Sequence, residues 1–287
     1  MKAQQWRLEC LVVLVLAVCG SASGQELPLE PSHDSGQGVT GAFEGWFPNQ
    51  DGTYSMLVGY FGRNLEQPID VPIGPNNRIE PGGPDQGQPT HFLPGRGWGL
   101  FTVTVPKDFG DKRLTWTIVA NGETAVIPLD LKPLWKLEPF KDANGDTPPY
   151  IGFSEDGPFV NGPRGQSESL DAKVGTPLSL PVWVADDDKD PVALNPKKKV
   201  KPIEGHWILF RGPKGVKFAN SAPPVEKVVL KSAPPGTPFN GKLTTTATFS
   251  EPGEYTLNLQ VQDNSGGGPA GLFCCWSNAK VQVSVKP

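Results

Sequence analysis

The chain has 287 residues, with 30 acidic side chains against 26 Lys plus Arg, a formal net charge of −4. That balance excludes a nucleic-acid protein, because phosphate binding needs a basic face, and only 4 Cys exclude a dense disulfide framework. The 34 Gly and 32 Pro punctuate short alternating apolar runs, the pattern of an all-β chain.

Lys2 and Arg7 precede the uncharged run CLVVLVLAV at 10–18, and CGSASG follows with small residues at Ala22 and Gly24. This is the pattern of a signal peptide over residues 1–24, cleaved near Gly24. The apolar run is roughly half the ~20 residues of a spanning helix, so no membrane span is expected and the protein is secreted or periplasmic. Leu16-Ala17-Val18-Cys19 resembles a lipobox, but Val18 stands where such boxes want a small residue; a lipoprotein is the lesser alternative. Residues 25–38 show no periodicity and are expected to be a flexible linker. No role falls to His33.

A first domain is predicted over 39–140. Ala42, Glu44 and Trp46 lead into the turn Asn49-Gln50-Asp51-Gly52, after which Tyr54, Met56, Val58 and Tyr60 alternate onto one face. Ile69, Val71 and Ile73 add a short run, then Phe101, Val103 and Val105 alternate. Leu114, Trp116, Ile118 and Ala120 reach Asn121-Gly122, and Ala125, Ile127 and Leu129 return, the stronger of two hairpins. Six or seven short strands make a β-sandwich. Between them, 12 of the 26 residues at 74–99 are Gly or Pro, which predicts a long loop without regular elements. It carries Arg78, Glu80, His91, Phe92, Arg96 and Trp98, either as a ligand surface or, more plainly, as a covering loop with Phe92 and Trp98 plugged into the core.

Residues 141–149, KDANGDTPP, form a linker. The spacing of Asp142, Asn144 and Asp146 resembles the start of a calcium loop, but Thr147 and two prolines stand where the loop wants glycine and later glutamate, so an ordinary polar turn is expected. The second domain is predicted over 150–287. Leu178, Leu180, Val182 and Val184 alternate into Asp186-Asp187-Asp188, followed after a loop by Trp207 and Leu209. Leu243, Thr245, Ala247 and Phe249, then Tyr255, Leu257, Leu259 and Val261, then Ala279, Val281, Val283 and Val285 complete a sandwich without borrowing strands from the first domain. The expected fold is all-β: two tandem immunoglobulin-like β-sandwich domains behind a signal peptide.

VGTPLSLPVWVADDD, FSEPGEYTLNLQVQD and VQVSV, spread over 174–287, resemble the PKD and related immunoglobulin-like modules of bacterial secreted proteins. Gly253-Glu254-Tyr255 resembles a tyrosine corner, with Leu257 where an antibody domain has its second cysteine. The PKD stretch Trp, Asp, Phe, Gly, Asp, Gly is replaced by Trp207-Ile208-Leu209-Phe210-Arg211-Gly212, so the resemblance is to the broad sandwich superfamily. It implies adhesion, spacing or binding in place of catalysis.

Candidate site residues are few. Asp186, Asp188 and Asp190, with Asp263 at the end of a later strand, converge at one pole if the sandwich forms, and calcium is the ion such carboxylates suit. Acidic turns without metal are common, so no cofactor is expected and a chelator should leave the melting temperature unchanged. Cys274 and Cys275 have three readings: a vicinal disulfide, two thiols facing apart, or a thiolate site for a soft ion such as Cu(I). An oxidising compartment and a glycine-rich approach favour the disulfide, as a structural turn beside Trp276. His91 and His206 lack partners at catalytic spacing, and no enzyme is expected. The basic run at 197–201 reads as a solvated loop. The functional reading is an exported, non-enzymatic protein that binds an envelope glycan or protein through Trp46, Phe47, His91 and Trp98, because aromatic faces stack on sugars. The alternatives are a structural spacer or a redox or soft-metal site at the cysteine pair.

Overall fold

The computed structural model describes residues 33–142, 145–189, 203–263 and 275–287. The signal peptide, residues 25–32 of the expected linker, Asn144, Asp190, the basic run at 197–201 and Cys274 lie outside the described residues.

The first half contains β1 (Val39–Pro48), β2 (Tyr54–Gly62), β3 (Ile69–Asp70), β4 (Asn77–Glu80), β5 (His91–Phe92), β6 (Gly95–Val105), β7 (Arg113–Ala120) and β8 (Glu123–Asp130). Both hairpins form where the turn residues place them. Between β1 and β2 the Gly52 amide donates to the Asn49 carbonyl at 3.1 Å, with Gly52 at φ +83. Between β7 and β8, Asn121 and Gly122 take φ values of 51 and 80, the positive pair of a type I′ turn, whose twist matches that of the strands. The sheets run β1-β2-β6 and β4-β7-β8, with β3 paired to β5. They share a core that includes Met56, Val58, Ile79, Phe101, Val103, Trp116 and Ile118.

Four expectations for this half are corrected. Residues 74–99 are not a loop without elements, for they contain β4, β5 and the start of β6. Polar side chains supply the order that the prolines deny to a ladder: the buried Asn77 amide donates to the carbonyls of Val71 and Pro89, each at 2.8 Å, and its Oδ1 accepts from Trp116 Nε1 at 2.9 Å. Phe92 plugs the core as expected, whereas Trp98 stays 36% exposed. β2 buries both faces, because Leu57 packs with Phe47 and Trp276 on the side opposite Met56 and Val58. Residues 33–38 are no free tether, since the amides of Leu65 and Gln67 donate to the carbonyls of His33 and Asp34, and the Gln37 amide donates to Asn64 Oδ1 at 2.7 Å.

The 3₁₀ turn Pro133–Trp135 leads toward the second half. This comprises β9 (Tyr150–Gly152), β10 (Gln166–Lys173), β11 (Leu178–Asp186), β12 (Ile203–Arg211), β13 (Val216–Phe218), β14 (Glu226–Lys227), β15 (Phe239–Phe249), β16 (Gly253–Asp263) and β17 (Trp276–Lys286). One sheet has the order β10-β17-β16-β12, with β10 parallel to β17, and the other β13-β15-β11-β9, with β14 also on β15. Trp207, Leu209, Val182, Leu243, Leu257 and Val281 fill the space between them. The Tyr255 hydroxyl donates to the Glu251 carbonyl at 2.9 Å, the tyrosine corner that the sequence resembles. The chain is an all-β protein of immunoglobulin-like sandwich type.

Among the described residues no sheet spans both halves, but side chains do. A register shift between Leu209 and Arg211 marks a bulge in β12, and Leu209 and Phe210 are buried in different cores. Phe210 enters the first-half core, 6.5 Å from Phe101, and Arg211 clamps Asp85 with two bonds of 3.0 and 2.7 Å while its Nε donates to the Gln88 carbonyl. Asn278 donates to the Gly99 carbonyl at 2.7 Å. The expected linker is likewise pinned, with Asp146 2% exposed and Ser277 donating to the Pro149 carbonyl.

Candidate functional site

Two places bring together groups with recognition chemistry. The first is an outward face where β6 meets β2. The Arg96 guanidinium carbon lies 4.1 Å from the centroid of the Trp98 ring, while its nitrogens reach Glu44 Oε1 at 2.7 Å and the Tyr60 carbonyl at 2.8 Å. Burial pushes the Glu44 carboxyl above its ordinary value, against the opposing pull of the Gly99 amide and Arg96. Gln260 Nε2 holds the Trp98 carbonyl at 2.9 Å from the other half. Phe61, 47% exposed, is the cross-strand partner of Arg96. Aromatic area and a fixed cation are thereby presented on strands and not on a mobile tip.

The other predicted contact residues do not join this face. Phe47 is 1% exposed, packed edge-on to Phe140 at 5.5 Å and against Leu57 and Trp276; its side chain closes the seam between the halves and is not available to a partner. Its aromatic character suggested a contact, but both sides of β1 are covered there. Trp46 is half-buried, with Nε1 donating to the Lys132 carbonyl and its ring edge-on to Tyr54. It lies opposite Met56, whereas Arg96 lies opposite Phe61, roughly 16 Å further along β2 at about 3.3 Å per residue. His91 is half-buried, with Nδ1 2.7 Å from Asp70 Oδ1, and Lys214 Nζ is 2.9 Å from the other Asp70 oxygen. Burial pushes the Asp70 carboxyl up, but Lys214 and His91 outweigh it and hold it below its ordinary value. This pair ties β3 to β5, which are in register at Asp70 and His91.

The second place is the pole where β11 and β16 end and β17 begins. Asp186 is 3% exposed, and its Oδ2 accepts from the Asp188 amide at 2.9 Å. Burial pushes its carboxyl up to about 7, against that amide and with the charges of Asp187, Asp146 and Asp188 adding to it. Asp187 accepts from Thr147 Oγ1 at 3.0 Å and pairs with Lys189 Nζ at 2.9 Å. Burial pushes the Asp187 carboxyl up, but hydrogen bonds, that of Lys189 foremost, outweigh it and hold it below its ordinary value. Carboxylate oxygens of Asp146 and Asp263 and the Cys275 sulfur lie within 4.8 Å of one another. Of the expected calcium set, Asp186 and Asp263 come to this pole, Asp188 is exposed and contributes its amide, and Asp190 is outside the described residues. Asp146, read as part of a polar turn, is the buried member that spacing alone did not place.

Cys275 is buried and disulfide-bonded, to a partner outside the described residues. Alkylating the unreduced protein is expected to add no label, and reduction to release two reactive thiols on a peptide containing Cys274 and Cys275. Two labels before reduction would exclude the bond and return the thiolate reading.

No family model and no curated protein matches the chain. Solved structures similar to it include domains 4 and 5 of the S-layer protein SbsC, at TM-score 0.24 and 10% identity over 88% of this chain and 98% of that one. The D00-D0 domains of intimin give TM-score 0.24 and 10% identity, covering 85% and 98%. CfaE, the adhesive subunit of the CFA/I fimbria of enterotoxigenic Escherichia coli, gives 0.25 and 7%, covering 91% and 82%. These are surface and adhesin domains. At such TM-scores the fold assignment rests on this chain's own strand order and tyrosine corner.

Proposed function

We propose that this protein is an exported, non-enzymatic binding or adhesion protein whose contact surface is the Phe61, Arg96 and Trp98 face. One observation carries the reading: a large aromatic ring, 36% exposed, lies against a guanidinium that is itself anchored to Glu44 and the Tyr60 carbonyl. A partly exposed indole costs solvation, and a cation held against its face stiffens it for contact. Planar, amphipathic faces of this kind suit a glycan ring or a protein surface. Retention of the purified protein on isolated cell-envelope material and on insoluble polysaccharides tests it, with Trp98→Ala and Phe61→Ala each expected to weaken retention about tenfold, the loss of one aromatic contact. Equal retention of wild type and both variants would move the contact elsewhere. No retention on any surface would favour the spacer reading, for which the side chains that lock the two halves together are the supporting observation.

A further inference from the structure

Among the described residues, the second sandwich is open along one side. β9 covers β11 only at Trp183, Val184 and Ala185, so residues 178–182 have a strand neighbour on one side alone, β15. Across the gap stands β10, the edge strand of the other sheet. Between them lies a cavity of about 320 Å³, walled by Phe153, Leu170, Leu180, Val182, Trp207 and Val281. Leu180, Val182, Trp207 and Val281 are each no more than 2% exposed, so the floor is core, whereas Glu168 on β10 lines the same cavity and is exposed.

The sequence of β10 explains why the space is not filled. β10 lies in register with β17, Glu168 opposite Val281 and Leu170 opposite Val283. Both valines belong to the core, so alternation points Glu168 and Leu170 into the sandwich. A large apolar side chain at 168 would occupy the hole; a carboxylate turns to water instead. A second rule is broken at the floor. The Trp207 indole stacks on Phe218 and lines the cavity, yet its Nε1 is buried and meets no acceptor. An acid at a core-facing position and a buried donor left unmade each cost stability, and such violations concentrate at functional sites. The chemistry of the walls limits what enters. An apolar floor stays dry and takes up apolar molecules, and the volume is at the lower end for ligand pockets, which restricts the occupant to a compact one. The indole N–H calls for one acceptor, and the carboxylate at the rim disfavours an anion.

We propose that this cavity is a binding site for a compact, uncharged apolar molecule with one hydrogen-bond acceptor, its body packed on Leu170, Leu180, Val182 and Val281 and its acceptor taking the Trp207 indole N–H. Glu168 at the rim turns carboxylates away. The site shares no residue with the Trp98 face, so it stands whether or not that face binds a glycan or protein. A competing role for Glu168, an inward charge that keeps an edge strand from pairing with other chains, leaves the cavity without a ligand and is separated by the test.

The test uses three probes of similar size, acetophenone, ethylbenzene and benzoate, which offer a neutral acceptor, no acceptor and a carboxylate. Titrated into the purified protein and followed by NMR, acetophenone is expected to shift the methyl resonances of Leu170, Leu180, Val182 and Val281 with a Kd of about 1 mM, the scale for so few atoms, and to move the Trp207 indole N–H downfield. Ethylbenzene should shift the methyls and move the N–H clearly less, and benzoate should bind at least about tenfold more weakly than acetophenone. Glu168→Phe, which fills the cavity, is expected to melt a few degrees higher and to lose acetophenone binding. Trp207→Phe should weaken acetophenone about tenfold and leave ethylbenzene nearly unchanged. Should Trp207→Phe fail to fold, the wild-type N–H resonance carries the same distinction. Four results would overturn the proposal: no methyl shift with any probe up to its solubility, undiminished acetophenone affinity in folded Glu168→Phe, an equal N–H response to acetophenone and ethylbenzene, or benzoate binding as tightly as acetophenone.

Discussion

Replacing Asn77 by alanine is expected to cost about 4 kcal/mol of folding free energy. Its side chain donates to the carbonyls of Val71 and Pro89 and accepts from Trp116 Nε1, and both Asn77 and Trp116 are fully buried. Alanine leaves two acceptors and one donor without partners, each worth roughly 1–3 kcal/mol when buried and unmade. The consequence is local as well as global. The β4 ladder holds residues 77–80 to β7, and this amide ties the flanking Val71 and Pro89 carbonyls to the same place, so its loss loosens the stretches on either side of β4. Denaturant unfolding of wild type and Asn77→Ala measures the effect as a fall in midpoint at unchanged slope. A loss under about 1 kcal/mol would mean that water enters and restores the three bonds.

Phe210→Ala is expected to cost about 3–5 kcal/mol, the range for truncating a fully buried phenylalanine, and to do so in the half of the molecule from which Phe210 does not come. Phe210 belongs to β12 of the second sandwich, yet its ring is 1% exposed within the first-half core beside Phe101. Hydrogen exchange distinguishes this from ordinary core damage. Amides of Phe101, Val103 and Val105 on β6 should lose protection, while those of Leu257 and Leu259 on β16 should keep most of theirs. Protection lost only along β12 and β16 would show that the ring contributes to its own sandwich and not to the seam.

Both predictions concern groups whose importance is invisible in one dimension. Asn77 lies in a stretch so rich in glycine and proline that alternation cannot operate, and Phe210 shares a strand with Leu209, so a strict period of 2 assigns it to the solvent side. A bulge and a second core make it a buried residue instead. Phe47 fails for a related reason: its strand has no solvent side there, because Trp276 and Leu57 cover it. The two hairpins, by contrast, are local. Asp51-Gly52 and Asn121-Gly122 supply the backbone conformations their turns need within four residues, and flanking alternation sets the register.

The candidate sites divide along the same line. Asp186 and Asp263 were legible as acidic residues ending strands, since strand ends of one sandwich fall at its poles. Asp146 was not, because its burial depends on the Asp142 turn docking under Cys275, a contact between residues 129 apart. Trp98 was legible as an aromatic in a polar stretch, but whether it plugs the core or stands in solvent is decided by Arg96, Glu44 and Gln260, which arrive from three strands. The sequence by itself determined the all-β class, the hairpins, the tyrosine corner and the sandwich of the second half, because periodicity and turn chemistry act over a few residues. Only the tertiary structure decided which faces are covered, how the halves interlock and which carboxylates meet. Burial and charge proximity are properties of three-dimensional packing, set by side chains far apart along the chain.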